Sequence, residues 1–158
     1  MGLVLCRVDD RLVHGQVVIG WGRPLAVKFI VLVDDGVRAS SWEQDLYRMA
    51  VPEGVDVIFA RTDEAISALE AWAADSRPGI LLTGDLATMA ALHHASPTIV
   101  HRINLGGIHH RPDRHERLRY LYLSGEEEVL LASMRGSGAD ITAQDLPTTP
   151  PIGIEALP

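Results

Sequence analysis

Two acids, an arginine and a histidine fall within six consecutive positions: Asp9, Asp10, Arg11 and His14, with Gly15 and Gln16 directly after. A neutral imidazole offers one nucleophilic ring nitrogen near physiological pH, so His14 is a candidate acceptor of a phosphoryl group. Phosphorylation would set negative charge beside the ring. Arg11, three residues earlier, supplies a planar and permanently charged clamp for it. Gly15 permits close backbone approach, and Gly15 and Gln16 open a following helix whose amides add phosphate donors. Asp9 or Asp10 can fix the arginine or select which ring nitrogen carries the proton. No metal or cofactor is required if the phosphate arrives already activated on another histidine. Spacing alone leaves a second reading open, in which His14 is a loop histidine hydrogen-bonded to an aspartate for structural reasons.

The elements around this segment alternate. Short apolar runs mark strands at Leu3 to Val8, Phe29 to Val33, Val55 to Phe59, Ile80 to Thr83, Thr98 to Asn104, Tyr120 to Leu123 and Ala139 to Thr142. Several lack polar alternation, as expected of strands buried on both faces. Helices read between them. Ser40 and Glu43 have capping-box spacing, with Trp42, Leu46 and Met49 on one face. Thr62 is a candidate cap for a helix with Ile66, Leu69 and Ala73 inward. Asp85 starts another, with Met89 and Leu92 buried. Ser124 and Glu127 repeat the capping-box spacing before Leu130 and Met134, and Gly136 and Gly138 supply a stop. The pattern predicts an open, doubly wound α/β domain over 1–158, its sheet mostly parallel with helices on both faces. Ligands in such sheets bind outside the carboxyl ends of the strands, where the His14 segment falls. The 106–117 stretch reads as an irregular basic loop, and the proline-containing tail 145–158 as extended.

Composition narrows the chemistry. Of 158 residues, 47% are hydrophobic and 22% charged, an ordinary globular balance, and the net charge of -7 disfavours nucleic acid as a partner. No run approaches the roughly 18 apolar residues that cross a bilayer. Cys6 is the only cysteine, which excludes internal disulfides and makes a cytoplasmic location the default. Lys28 lacks the glycine-rich context of a P-loop, Gly20-Trp21-Gly22 lacks the third glycine of a dinucleotide fingerprint, and Gly136-Ser137-Gly138 lacks the flanks of a nucleophile elbow.

The run Arg7-Val8-Asp9-Asp10-Arg11-Leu12-Val13-His14-Gly15-Gln16-Val17 resembles the N-terminal signature of the IIB subunits of the mannose/fructose/sorbose family of the sugar phosphotransferase system. The stretch from Met49 to Val55, the Asn104-Leu105-Gly106-Gly107-Ile108 turn, Glu126 to Val129 after Tyr120 to Leu123, and Leu146-Pro147-Thr148 also resemble family segments, so the likeness spans almost the whole chain. It implies an open α/β sheet with the active loop after the first strand. It implies that His14, through Nδ1, accepts a phosphoryl group from a histidine of a IIA partner. The group then passes to a sugar carried by membrane IIC and IID subunits, so the membrane is met only through partners. It assigns charge neutralisation to Arg11 and loop shaping to Asp9 and Asp10, and leaves a homodimer open. The chain departs from the family where histidines and arginines replace lysines after the Gly-Gly turn, and at Leu82 to Leu86. An alternative is therefore a regulatory phosphoprotein module of an incomplete system without sugar transport.

Other polar groups read more plainly. His109, His110 and His115 match no standard metal spacing, and their loop is expected to be solvated. Arg111 and Arg114 in that loop are candidate partner contacts. Asp34-Asp35-Gly36 reads as a helix entry, His93 and His94 as a helix end, and His101 as a packed strand residue. Trp21, Trp42 and Trp72 read as core or interface, and Cys6 as buried and inert.

Overall fold

The run Phe29–Val33 is buried along its whole length, which places it inside a sheet covered on both faces. In the computed structural model, which describes residues 1–158, it is the second strand of a seven-stranded sheet. In chain order the elements are β1 (Gly2–Val8), a π-helical turn (Gln16–Trp21), β2 (Phe29–Val33), α1 (Asp35–Arg38), α2 (Ser41–Met49), β3 (Asp56–Ala60), α3 (Thr62–Ala73), β4 (Pro78–Thr83) and α4 (Leu86–Ala95). There follow β5 (Arg102–Leu105), β6 (His115–Leu118), β7 (Leu121–Leu123), α5 (Gly125–Gly136), β8 (Asp140–Ala143) and β9 (Ile152–Gly153), with a final 3-10 turn at Ile154–Ala156. The sheet order is β3-β2-β4-β1-β5-β8-β9, and only β9 runs antiparallel to its neighbour.

Strand alternation builds two cores. Phe29, Val31 and Val33 join Cys6, Val8 and Leu81 beneath α3, α4 and α5. Ile30, Leu32, Ile80 and Leu82 face the other way and pack on Val17, Val18 and Trp21 of the π-helical turn and Val37 of α1. Chain segments leaving β1 and β4 diverge to opposite faces, although the two strands are neighbours. The carboxyl ends of β1 and β4 therefore flank the crevice in which such folds place ligands.

The helix caps are partly as expected. Asp85 accepts from Thr88 N at 2.7 Å, and Ser124 and Glu127 form a reciprocal capping box. Asp34 caps α1 through Val37 N. Four readings are corrected. Ser40 makes no side-chain cap; α2 is docked instead by Gln44, whose Nε2 donates to the terminal carbonyls of α1 at Val37 and Arg38. The polar side of α2 therefore meets the domain, with Arg48 over the Phe59 ring, and Trp42, Leu46 and Met49 are exposed. Arg61, one residue before Thr62, is the N-cap of α3. That helix buries Ala65 with Leu69 and leaves Ile66 out.

The C-terminal half carries further corrections. Residues 98–101 belong to the turn after α4, so His101 is exposed and lies outside β5. The Tyr120 to Leu123 run does form a strand, β7, but it pairs antiparallel with β6 in a separate hairpin. The 106–117 stretch is therefore part strand, and Ile108 stitches it to the hairpin through Tyr120 O and Tyr122 N. The tail is extended at Ile152–Gly153, where it adds the edge strand β9, but it turns where Thr149 N donates to Leu146 O and again in the 3-10 turn at Ile154–Ala156. Cys6 is buried as expected, and burial pushes its thiol up to about 12.

Candidate phosphoryl-transfer site

The Asp9–Gln16 loop leaves the end of β1 and is pinned to the crevice by backbone bonds. Asp9 N donates to Thr83 O at the end of β4, and Asp10 N donates to Gly107 O beyond β5. Leu12 turns the chain with a φ of 60°, unusual for a leucine. Its side chain lies across Gly84, where a Cβ would sit 2.8 Å from Leu12 Cδ2. A side chain at 84 would have to displace this Leu12 methyl.

Asp9 is the hub. Its side chain is fully buried, and two guanidinium groups and an imidazole converge on it. Arg7 Nη2 lies 3.3 Å from Oδ2, Arg11 Nε 3.4 Å from Oδ1, and His14 Nε2 3.3 Å from Oδ2. The His14 contact falls short of a hydrogen bond, so buried Nε2 has no hydrogen-bond partner and Asp9 Oδ2 is the carboxylate oxygen beside it. Burial alone would raise the Asp9 carboxyl. The His14 contact and the Arg7 charge more than offset this and hold it well below the usual carboxylate range.

Both sides of the His14 ring then specify one tautomer. An ionised carboxylate can only accept, so Nε2 beside Asp9 carries the proton. On the other side Gln16 N donates to Nδ1 at 3.3 Å, so Nδ1 carries the lone pair. The side chain keeps 19% of its surface exposed. When the imidazole is neutral, this arrangement leaves the free lone pair on Nδ1, the state needed for nucleophilic attack.

The remaining candidates fall as follows. Arg11 does not touch His14; it bridges Asp9 and the Gln16 side chain, with Nη2 2.5 Å from Oε1, and stays 39% exposed. Gln16 thus meets both the ring and the arginine. Gly15 has ordinary helical backbone (φ −54°, ψ −42°), so backbone geometry does not demand glycine, and the space beside its Cα is open. Asp10 does not reach His14. It holds His109 through the backbone N at 2.7 Å and Nδ1 at 2.5 Å, tying the loop after β5 to the Asp9–Gln16 loop. Asp10 therefore shapes the loop and does not orient the tautomer.

Arg111 is exposed, whereas Arg114 is buried and forks onto Glu127. Its guanidinium is consumed internally, so the partner-contact reading is corrected for Arg114. His93 is fully buried with Nδ1 2.5 Å from Val100 O, a packing role and not simply a helix-end one.

Sequence reasoning missed Arg7 and Asn104. Arg7 is fully buried beneath the loop, and Asn104 Oδ1 accepts from it. A cation closing an apolar strand two residues before Asp9, opposite a Gly-Gly pair, was the available signal. A Cβ on Gly106 would lie 2.3 Å from Arg7 Nη2.

The sequence model for the PTS system sorbose subfamily IIB component matches residues 3–157. The chain belongs to the sorbose subfamily of phosphotransferase-system IIB components. It is 25% identical over 155 residues to the N-acetylgalactosamine-specific phosphotransferase enzyme IIB component 2 of Escherichia coli K12, covering 98% of each chain. A 55-residue stretch, 35% of this chain and 17% of the relative, is 40% identical to the PTS system mannose-specific EIIAB component of the same organism. Among solved structures, manxB from Thermoanaerobacter tengcongensis superposes with a TM-score of 0.85 at 27% identity, covering 98% of this chain and 93% of the other. IIB components of this system are phosphotransferases, and the superposed structure shares the mostly parallel α/β sheet described above. No helix of this chain is long and apolar enough to cross a membrane.

Proposed function

We propose that this IIB component accepts a phosphoryl group on His14 Nδ1 from the phosphohistidine of a IIA partner. It then passes the group to a sugar taken up through membrane IIC and IID subunits, working on the cytoplasmic side. The observation that carries this reading is the convergence of Asp9 on Nε2 and of the Gln16 amide on Nδ1, which leaves the lone pair on the surface-facing loop. The joined EIIAB name of the mannose-specific relative supports a IIA donor.

In the first step the Nδ1 lone pair forms a bond to phosphorus as the donor N–P bond breaks, its electron pair returning to the donor ring. The His14 ring then bears both N–P and Nε2–H and is formally cationic, so the ionised Asp9 stabilises it without reorganising. The Gln16 amide is released from Nδ1 and becomes a donor to the phosphoryl oxygens, and Arg11 swings from Gln16 to neutralise them. In the second step a sugar hydroxyl oxygen attacks phosphorus, the N–P pair returns to Nδ1, and the hydroxyl proton leaves to a base on the acceptor side. Positioning and electrostatics carry both steps, as expected of phosphoryl transfer between good donors. Exposed Arg111, in the loop after β5, is assigned a partner contact in this reading.

The test is a reconstituted relay with the general phosphocarriers and a IIA protein, followed by mapping of acid-labile, base-stable phosphate. Label at His14, and none on His14→Gln, is the expected result. Normal labelling of His14→Gln would overturn the assignment.

A further inference from the structure

Arg7 carries a charge where arginine is seldom found, fully buried inside a parallel sheet. Its partners come from four separate places. Nη1 donates to Asn104 Oδ1 at the end of β5 and to Gln144 O after β8, at 2.9 Å. Nη2 donates to Asp145 O at 3.0 Å and to Asp9 Oδ2 at 3.3 Å. The Trp21 ring covers it, with its centroid 5.0 Å from Cζ, and Trp21 Nε1 donates to the same Asp145 carbonyl. Gly106 makes room for the guanidinium.

The carbonyls and the amide of this set are neutral, so none of them needs a full positive charge to be satisfied. Asp9 does. The same Asp9 oxygen that meets Arg7 also faces His14 Nε2. The guanidinium, held by three fixed oxygens, therefore fixes where that carboxylate oxygen sits beneath the ring. We propose that Arg7 is a positioning residue for phosphoryl transfer, acting through Asp9 to keep the His14 imidazole in the Nε2–H tautomer with Nδ1 free. This rests on the reading of His14 as the phosphorylated residue.

The experiment compares wild type, Arg7→Gln and Arg7→Lys by two readouts. Nitrogen-resolved NMR of the His14 ring reports the tautomer and needs no phosphate donor. Single-turnover transfer from a phosphorylated IIA protein reports the rate. In wild type the ring should be protonated at Nε2. Arg7→Gln should show a mixed tautomer population and transfer slowed about 10²-fold, with Arg7→Lys between the two. A folded Arg7→Gln with wild-type tautomer and rate overturns the proposal. If Arg7→Gln does not fold, Asn104→Ala carries the test, because it frees one edge of the guanidinium while keeping its charge. Tautomer mixing with slower transfer then supports the role, and unchanged values of both overturn it. A wild-type protein that is never labelled at His14 would instead sink the phosphorylation reading, whatever the tautomer measurements show.

Discussion

The Arg114 guanidinium forks onto the Glu127 carboxylate with N···O distances of 2.8 and 2.9 Å, while its remaining nitrogen donates to His109 O. Glu127 is also the capping-box residue of α5, so one buried pair ties the loop after β5 to a helix start. Removing one member leaves the other buried and unpaired. Arg114→Ala should therefore cost about 3–5 kcal/mol of unfolding free energy. Exposed Arg111→Ala should cost no more than about 0.5 kcal/mol. Urea titrations compare the two directly, and equal losses would contradict the buried-clamp assignment.

The contrast between these two arginines shows where sequence reading ends. Both stand in a basic run that reads as solvated, and nothing local tells which one finds a carboxylate 13 residues on. Arg7 is harder still, because three of its four acceptors lie 97 or more residues away. Burial of such a cation depends on three chain segments arriving together, which no periodicity encodes. By contrast β2, the Asp85 cap and the Ser124/Glu127 box were legible, since a continuous apolar run and a local cap are self-contained signals. The helix at Ser41–Met49 misled for a related reason. Its apolar stripe is genuine, but Gln44 docks the opposite side.

Asp9→Asn separates charge from shape at the hub. The variant keeps an oxygen near His14 but can also present an NH₂ group, which favours the opposite tautomer. It also strips the buried Arg7 of its counter-charge. Transfer should slow about 10²-fold or more, with a stability loss of about 3 kcal/mol. Single-turnover rates and thermal unfolding measure the two effects. Full-rate transfer by a folded Asp9→Asn protein would remove Asp9 from the mechanism.

Arg11 should behave differently. It is partly exposed, and its Asp9 contact is long. Arg11→Ala should change stability by less than about 1 kcal/mol. Phosphoryl transfer should nevertheless fall at least about tenfold, because the guanidinium proposed to neutralise the phosphoryl oxygens is gone. A matched drop in stability and rate would point to a structural arginine.

Acid should loosen the fold in a defined window. Burial works against ionising Glu127, but Arg114 and the Ser124 amide more than offset it and lower its carboxyl; Asp9 is lowered further. In the unfolded chain these groups titrate near about 4.3 and 3.9. Above about pH 5 both contribute in full. As pH falls through the unfolded values, the unfolded chain binds more protons than the folded one, and stability declines towards the folded values. Urea titrations at pH 7, 5, 4 and 3 should show this decline, with a shallower slope in Glu127→Gln. A flat profile from pH 5 to 3 would refute the linkage.

Two glycines near the loop should respond oppositely to the same added methyl. At Gly106 a Cβ would meet Arg7 Nη2 at 2.3 Å and Asp9 Oδ2 at 2.7 Å, atoms held from several sides. Gly106→Ala should cost about 1–3 kcal/mol and slow transfer, because the guanidinium and carboxylate must both shift. At Gly15 the backbone is already helical and nothing lies within 4 Å, so Gly15→Ala should fold as well as wild type or gain about 0.4–1 kcal/mol. If the open space beside Gly15 is where the donor or its phosphate approaches, Gly15→Ala will still transfer more slowly despite its intact fold. Thermal unfolding read alongside single-turnover transfer distinguishes the cases: a destabilised Gly15→Ala would contradict the open-space geometry, and a stable variant with wild-type transfer would show that the approach runs elsewhere.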